Sequence, residues 1–206
     1  VIAGGTDLLV NMKKGTIKPT RLVSLKKIGG LREIAREDAG LSIGSHVTIS
    51  EIADSALVAS VFPVLARSAS CLGSPLIRNR ATIGGNIVTA RPAADLPPAL
   101  MVLGAEVQLK GKGKGRTVPL DSFFTGPGSS VMKAGEVLTK ISVPAVPAFT
   151  GGDYIKLGHR AALEIAIVAV ASRLTLDRPD GVIVDARIVL SSVAPTAVHA
   201  LSAEKA

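Results

Sequence analysis

Residues 74–104 constrain this chain more than any other stretch. They run Ser-Pro-Leu-Ile-Arg-Asn-Arg-Ala-Thr-Ile-Gly-Gly-Asn-Ile-Val-Thr-Ala-Arg-Pro-Ala-Ala-Asp-Leu-Pro-Pro-Ala-Leu-Met-Val-Leu-Gly. The pair Gly84-Gly85 removes two Cβ atoms in succession, so backbone N–H groups can approach a ligand closely, and successive N–H groups aimed into one concavity bind anions. Thr82 and Asn86 flank the pair with short side chains able to donate hydrogen bonds to phosphate oxygens. A phosphate-bearing cofactor is the guest that suits this pattern. A second reading stays open: the pair makes a tight turn, and Asp95 caps a helix with Pro97 and Pro98 in its first turn and Gly104 at its end.

A second glycine pair favours the ligand. The chain opens Val-Ile-Ala-Gly-Gly-Thr-Asp-Leu-Leu-Val, which reads as strand, loop and helix, the order that presents amides to phosphate. No Gly-x-Gly-x-x-Gly follows the opening strand, and no Gly-x-x-x-x-Gly-Lys-Ser/Thr occurs, so neither the dinucleotide fingerprint nor the P-loop is present.

A length of 206 residues with 47% hydrophobic content fits one large domain or two modest ones. Aromatic residues are only 2%, so the core is aliphatic and little surface is left for stacking bases. The net charge of +8 permits nucleic-acid binding, but the densest basic run, Lys110 to Arg116, alternates with glycine and reads as a solvated hairpin turn. We expect a positive potential serving an anionic dinucleotide and acidic partner surfaces, with no nucleic-acid partner. The single cysteine, Cys71, forms no internal disulfide, holds no iron–sulfur or zinc site, and reads as a small core residue. The longest apolar run, Ile165 to Ala171, is far below the roughly 20 residues that span a bilayer, and no leader pattern opens the chain. A soluble, cytoplasmic protein is expected.

Between the motifs, Arg21–Leu25 and Leu41–Gly44 read as strands around a short turn at Leu31–Ile34, and Ser50 as a helix N-cap. Residues 55–72 read as two short helices or one helix broken at Pro63. Glu106–Lys110 and Thr117–Leu120 form a hairpin, Asp121–Gly128 a loop, and Val137–Pro144 a further strand. The Pro- and Gly-rich run Pro144–Asp153 places a boundary between residues 1–148 and 149–206. Beyond it, Tyr154–Leu157, Ile165–Leu176 and Val182–Val193 read as a three-stranded antiparallel meander, with a helix over 161–171 as the alternative. His46, His159, Glu164 and His199 receive no functional role.

Four features together resemble the FAD-binding subunit of the molybdenum hydroxylases, which include the xanthine, carbon monoxide and nicotinate dehydrogenases. They are Ala3-Gly4-Gly5-Thr6-Asp7-Leu8, the Ala81–Ile87 loop, Asp95 after Ala90-Arg91-Pro92, and the Lys156…Arg160 spacing. The resemblance implies an α+β fold: a two-part FAD-binding domain of the molybdopterin dehydrogenase (vanillyl-alcohol-oxidase-like) type, then the start of a small C-terminal domain. It implies that Ala3, Gly4, Gly5, Thr6, Asp7 and Leu8 clasp the FAD pyrophosphate together with Thr82, Gly84, Gly85 and Asn86, with Asp95 and Leu138 also at the cofactor. Lys156 would reach the pyrimidine side of the flavin, where a cation favours the reduced ring, and Tyr154 would cover the ring. The implied partners are a molybdopterin-containing large subunit, a small subunit with two [2Fe-2S] clusters, and NAD or another acceptor. The cysteine-bearing insertion of the benzoyl-CoA-reducing branch is absent. Against the family pattern the chain lacks a strand and helix before the first loop and stops before the closing helices. The competing class is a non-catalytic nucleotide- or phosphate-binding module using the same loops.

Overall fold

The computed structural model describes residues 1–37, 40–160 and 163–206. In chain order, helix α1 (Leu8–Lys13) precedes strands β1 (Ile34–Glu37) and β2 (Gly40–Gly44). Six helices follow: α2 (Ile49–Ala53), α3 (Ala56–Val61), α4 (Pro63–Ser70), α5 (Pro75–Arg78), α6 (Ile83–Val88) and α7 (Leu96–Val102). Strands β3 (Glu106–Lys110), β4 (Arg116–Pro119), β5 (Phe124–Gly126), β6 (Ser129–Ser130) and β7 (Val137–Pro144) come next. The final part holds β8 (Thr150–Leu157), β9 (Val168–Leu176), β10 (Ile183–Ser191), β11 (Val198–His199) and α8 (Leu201–Glu204).

Two antiparallel sheets carry the architecture. The first has the order β1-β2-β7-β3-β4, so the late strand β7 lies between two earlier hairpins and ties them together. A register shift at Gln108/Leu109 breaks its alternation, which lets Leu138 and Ile141 both face the core. The second sheet has the order β11-β10-β9-β8. Helix α7 packs against β9 and β10, and α4 against β8. All seven residues of α7 are buried, and each fully buried leucine is worth about 1.5–3 kcal/mol. Gly104 ends this helix at φ +70°, with its N–H on Met101 O and the Ala105 N–H on Leu100 O, a Schellman closure that needs the left-handed residue.

The sequence-based strands and helices hold with local exceptions. The opening segment and Arg21–Leu25 meet only in an isolated parallel bridge, Ile2 with Ser24, because neither finds a further ladder partner among the described residues. Thr48, not Ser50, caps α2: its hydroxyl accepts from Glu51 N–H at 3.2 Å and the Glu51 carboxylate returns to Thr48 N–H at 2.7 Å. Ser50 instead bonds the Asn79 side chain. Pro63 separates α3 from α4. The expected loop at Asp121–Gly128 holds part of a 3-10 turn, anchored by buried Leu120 and Phe123, and β5, which pairs with β6. The expected meander gains the short fourth strand β11, and β9 is extended from Val168 onwards; Ala161 and Ala162, inside the helical alternative, lie outside the described residues.

Candidate functional site

Gly84 and Gly85 do not form a turn. They belong to the first turn of α6, whose N-cap Thr82 accepts from Gly85 N–H at 3.1 Å. Neither has a positive φ, so glycine is required here by space. A Cβ on Gly84 would stand 2.7 Å from both Ser45 Cβ and Ser45 O, and the Gly84 N–H donates to that same oxygen at 2.9 Å. At the other pair, a Cβ on Gly4 would stand 2.0 Å from Arg80 O. Gly5 sits at φ +80°, open to glycine at little cost. The opening glycine segment therefore rests on the backbone at Arg80 and Ala81, just before the second one, while Gly84 rests on Ser45.

Between them lies a cavity of about 480 Å3, within the usual size of cofactor clefts. Ala3, Gly4, Gly5, Thr6, Asp7 and Leu8 line one side, and Thr82, Gly84, Gly85 and Asn86 another. Leu138 closes it from β7. Among the described residues no acceptor meets the N–H groups of Gly4, Gly5, Thr6 and Asp7, leaving four consecutive donors at the wall. Ser45 Oγ and Asn86 Oδ1, on two wall residues, are buried without partners, and buried polar atoms are normally satisfied. Small side chains, unspent amides and orphaned oxygens fit a phosphate-bearing cofactor.

Asp95, Tyr154 and Lys156 are not brought to this cavity. Asp95 stands at the N-cap of α7 but makes no capping bond with its side chain. Its carboxylate accepts from Tyr154 Oη at 2.8 Å and pairs with Lys156 Nζ at 2.9 Å, and that ammonium also donates to Cys71 O at 3.2 Å. Burial drives the Asp95 carboxyl above the usual carboxylate range, against the pull of Lys156. Burial, then the charge of Asp95, raises the Tyr154 hydroxyl. Tyr154 is fully buried, so its ring cannot lie over a ligand without leaving this packing. Lys156 does border a second cavity of about 440 Å3, with Cys71, His159, Arg160 and Glu164. Cys71 is half-buried and Leu72, next to it, lines the first cavity.

Sequence reasoning missed Ser45, Met132 and Glu136 at the first cavity. Ser45 had one signal, the strand-ending Gly44, whose Cβ would meet the Leu31 carbonyl carbon at 2.4 Å. His46 is buried with neither ring nitrogen bonded, and His199 bridges Glu204 at 2.8 Å and Asp121 at 3.3 Å. Among the described residues no cluster of three or more His, Cys, Asp or Glu side chains could hold a metal ion, and no helix is long and apolar enough to cross a membrane.

Comparison with known proteins points to one family. Residues 1–146 match the FAD binding domain in molybdopterin dehydrogenase, and residues 153–206 match the CO dehydrogenase flavoprotein C-terminal domain. The chain is 34% identical to the carbon monoxide dehydrogenase medium chain of Hydrogenophaga pseudoflava, aligning 97% of this chain with 68% of that one. It is 30% identical to the xanthine dehydrogenase FAD-binding subunit of Escherichia coli, over 100% of this chain and 70% of the relative. The solved carbon monoxide dehydrogenase from Hydrogenophaga pseudoflava superposes with a TM-score of 0.94 at 35% identity, over 99% of this chain and 70% of that chain. Quinoline 2-oxidoreductase from Pseudomonas putida 86 does so with a TM-score of 0.92 at 30% identity, with the same coverage. With both glycine segments lining one cavity, and with residues 1–146 matching its model, this chain belongs to the FAD-binding domain family of the molybdopterin dehydrogenases.

Proposed function

We propose that this chain binds FAD between its two glycine segments and serves as the electron-relay subunit of a molybdenum hydroxylase. The observation that carries the reading is the row of N–H groups at Gly4–Asp7, without acceptors among the described residues, in a segment that lines one cavity together with Thr82, Gly84, Gly85 and Asn86. Those amides would hold the pyrophosphate, as oriented backbone donors hold anions elsewhere. Asn86 and Ser45 would supply hydrogen bonds to polar parts of the ligand, and Leu138, Leu72 and Met132 would keep water from it. Bound FAD supplies the redox chemistry, accepting and passing on electrons; the protein supplies binding, orientation and charge.

In this reading a large partner subunit carries the molybdopterin and a small one two [2Fe-2S] clusters, and electrons leave through FAD to NAD or another acceptor in the cytoplasm. The named relatives are medium or FAD-binding subunits of such dehydrogenases, which supports the assignment. The division at residues 148/149 separates the part that holds the dinucleotide from the part that carries Tyr154 and Lys156. Lys156 remains the candidate for the flavin's pyrimidine side, reached from the second cavity, with Asp95 as its counter-ion.

Reconstitution of the complete subunit with excess FAD, acid release and chromatography tests the cofactor. One FAD per chain is expected; FMN, or no flavin, overturns the reading. Loaded subunit is expected to pass electrons from an artificial reductant to a dye and to hydroxylate nothing without its partners.

A further inference from the structure

The cavity wall poses an electrostatic problem. The chain carries a net charge of +8, and the ligand read for the cavity is a dianion, yet among the described residues no lysine or arginine lines the wall. Its two charged side chains are carboxylates, Asp7 and Glu136. Each has an arginine behind it, outside the cavity. Arg91 Nε stands 4.0 Å from Asp7 Oδ1, with both side chains about half exposed. The arrangement at Glu136 is much tighter: Arg116 Nε meets Glu136 Oε1 at 2.8 Å and its Nη2 meets Oε2 at 2.9 Å, a two-pronged fork. The same Nη2 reaches Val131 O at 2.7 Å, and Lys133 N–H donates to Glu136 Oε2 at 2.7 Å. The turn from Val131 to Glu136 is thus closed on one guanidinium, and that turn puts Met132 and Glu136 on the wall. The bond to Arg116, followed by that from Lys133, holds the Glu136 carboxyl at about 2, so it is ionised whenever a ligand binds near neutral pH.

We propose that Arg116 is a positioning residue for the cofactor: from outside the cavity it masks the Glu136 carboxylate and fixes the turn that carries it, so that a wall with no cation of its own accepts an anionic dinucleotide. The inference rests on the FAD reading above and adds to it a residue with no predicted contact with the ligand. It also accounts for a carboxylate at an anion site, since an unmasked Glu136 would repel phosphate at close range, where charges in a partly dry cleft are weakly screened.

The test is FAD affinity of the complete subunit, read by quenching of flavin fluorescence at low and high salt. Arg116→Ala is expected to weaken FAD about tenfold at low salt, and added salt to narrow that gap by screening the exposed carboxylate. Arg116→Ala combined with Glu136→Gln is expected to recover most of the affinity. Glu136→Gln alone leaves the Arg116 charge uncompensated beside the cavity and is expected to tighten FAD about threefold at low salt, a gain that high salt removes; this variant carries the test if Arg116→Ala does not fold. The proposal is overturned by wild-type affinity in Arg116→Ala, by a loss that neither salt nor Glu136→Gln relieves, or by an affinity in Glu136→Gln alone that is unchanged or lower at low salt. Failure of the unaltered subunit to take up FAD is a separate outcome, and sinks the cofactor reading together with this one.

Discussion

Two polar regions of this molecule use opposite strategies. At the cavity the chain offers backbone donors, small side chains and, among the described residues, no cationic side chain, and the carboxylates on its wall are paired from outside. At the junction of α7, α4 and β8 it buries a full ion pair, Asp95 with Lys156, with Tyr154 and Cys71 O as further hydrogen-bond partners. The first region is built to be completed by a ligand and the second completes itself. Both were expected at the cofactor on resemblance, and the structure separates them by how well satisfied each already is.

The largest effect that would break this comparison comes from the close approach of Gly84 to Ser45. Gly84→Val drives side-chain carbon into Ser45, where even a Cβ is at 2.7 Å. Overpacking of this kind costs about 1–3 kcal/mol or more, and here it falls between two residues that both line the cavity. Loss of FAD retention together with a lower melting temperature is expected; a variant that keeps full flavin content contradicts the close approach.

Next in size is the buried pair. Removing one partner leaves a buried charge uncompensated, which costs about 3–5 kcal/mol, so Lys156→Met and Asp95→Leu should each lower stability in denaturant titrations. The double variant should regain most of it. FAD affinity of the double variant, if it matches the unaltered protein, places this cluster outside the cofactor's main contacts; a large loss would return Lys156 and Asp95 to the site itself.

Thr82→Ala removes the cap of α6 and should cost about 1 kcal/mol of stability, with FAD affinity falling further than a cap alone explains if the hydroxyl also faces the ligand. Isothermal titration alongside thermal melts separates the two.

The smallest expected effect is a pH dependence at the chain's far side. Burial disfavours the charged His199 ring, but the bonds to Glu204 and Asp121 outweigh it and raise its pKa. A raised pKa stabilises below the unfolded value, near 6.5, and the contribution is lost as pH rises through the folded value. Melting temperatures of His199→Gln and the unaltered protein should therefore differ most in mild acid and converge in alkali. A constant difference across pH would assign His199 a packing role.

The sequence revealed which residues matter more readily than why they matter. Gly4, Gly5, Gly84 and Gly85 stand out as pairs, and both pairs do flank the cavity; but the sequence cannot show that Gly4 lies on Arg80 O or Gly84 on Ser45, contacts that need the fold in place. Strand β3 was legible from alternation and β7 as an apolar run, whereas the register shift at Gln108/Leu109 is a property of their pairing. Asp95 looked like a helix cap because Leu96-Pro97-Pro98 follows it, and only tertiary contact with β8 reveals that its carboxylate is used elsewhere. Glu136 gave no signal at all, since its partner Arg116 lies on β4, across a run of irregular chain.

The seating of Gly4 on the Arg80 carbonyl sets an order of assembly. The opening loop leaves the ribosome long before the segment on which it rests, and contacts so distant in sequence form late because the intervening chain must first lose its freedom. A nascent chain holding only the first loop has donors but no opposing wall. Flavin capture therefore waits until the chain has reached Arg80 and closed the cavity's second wall.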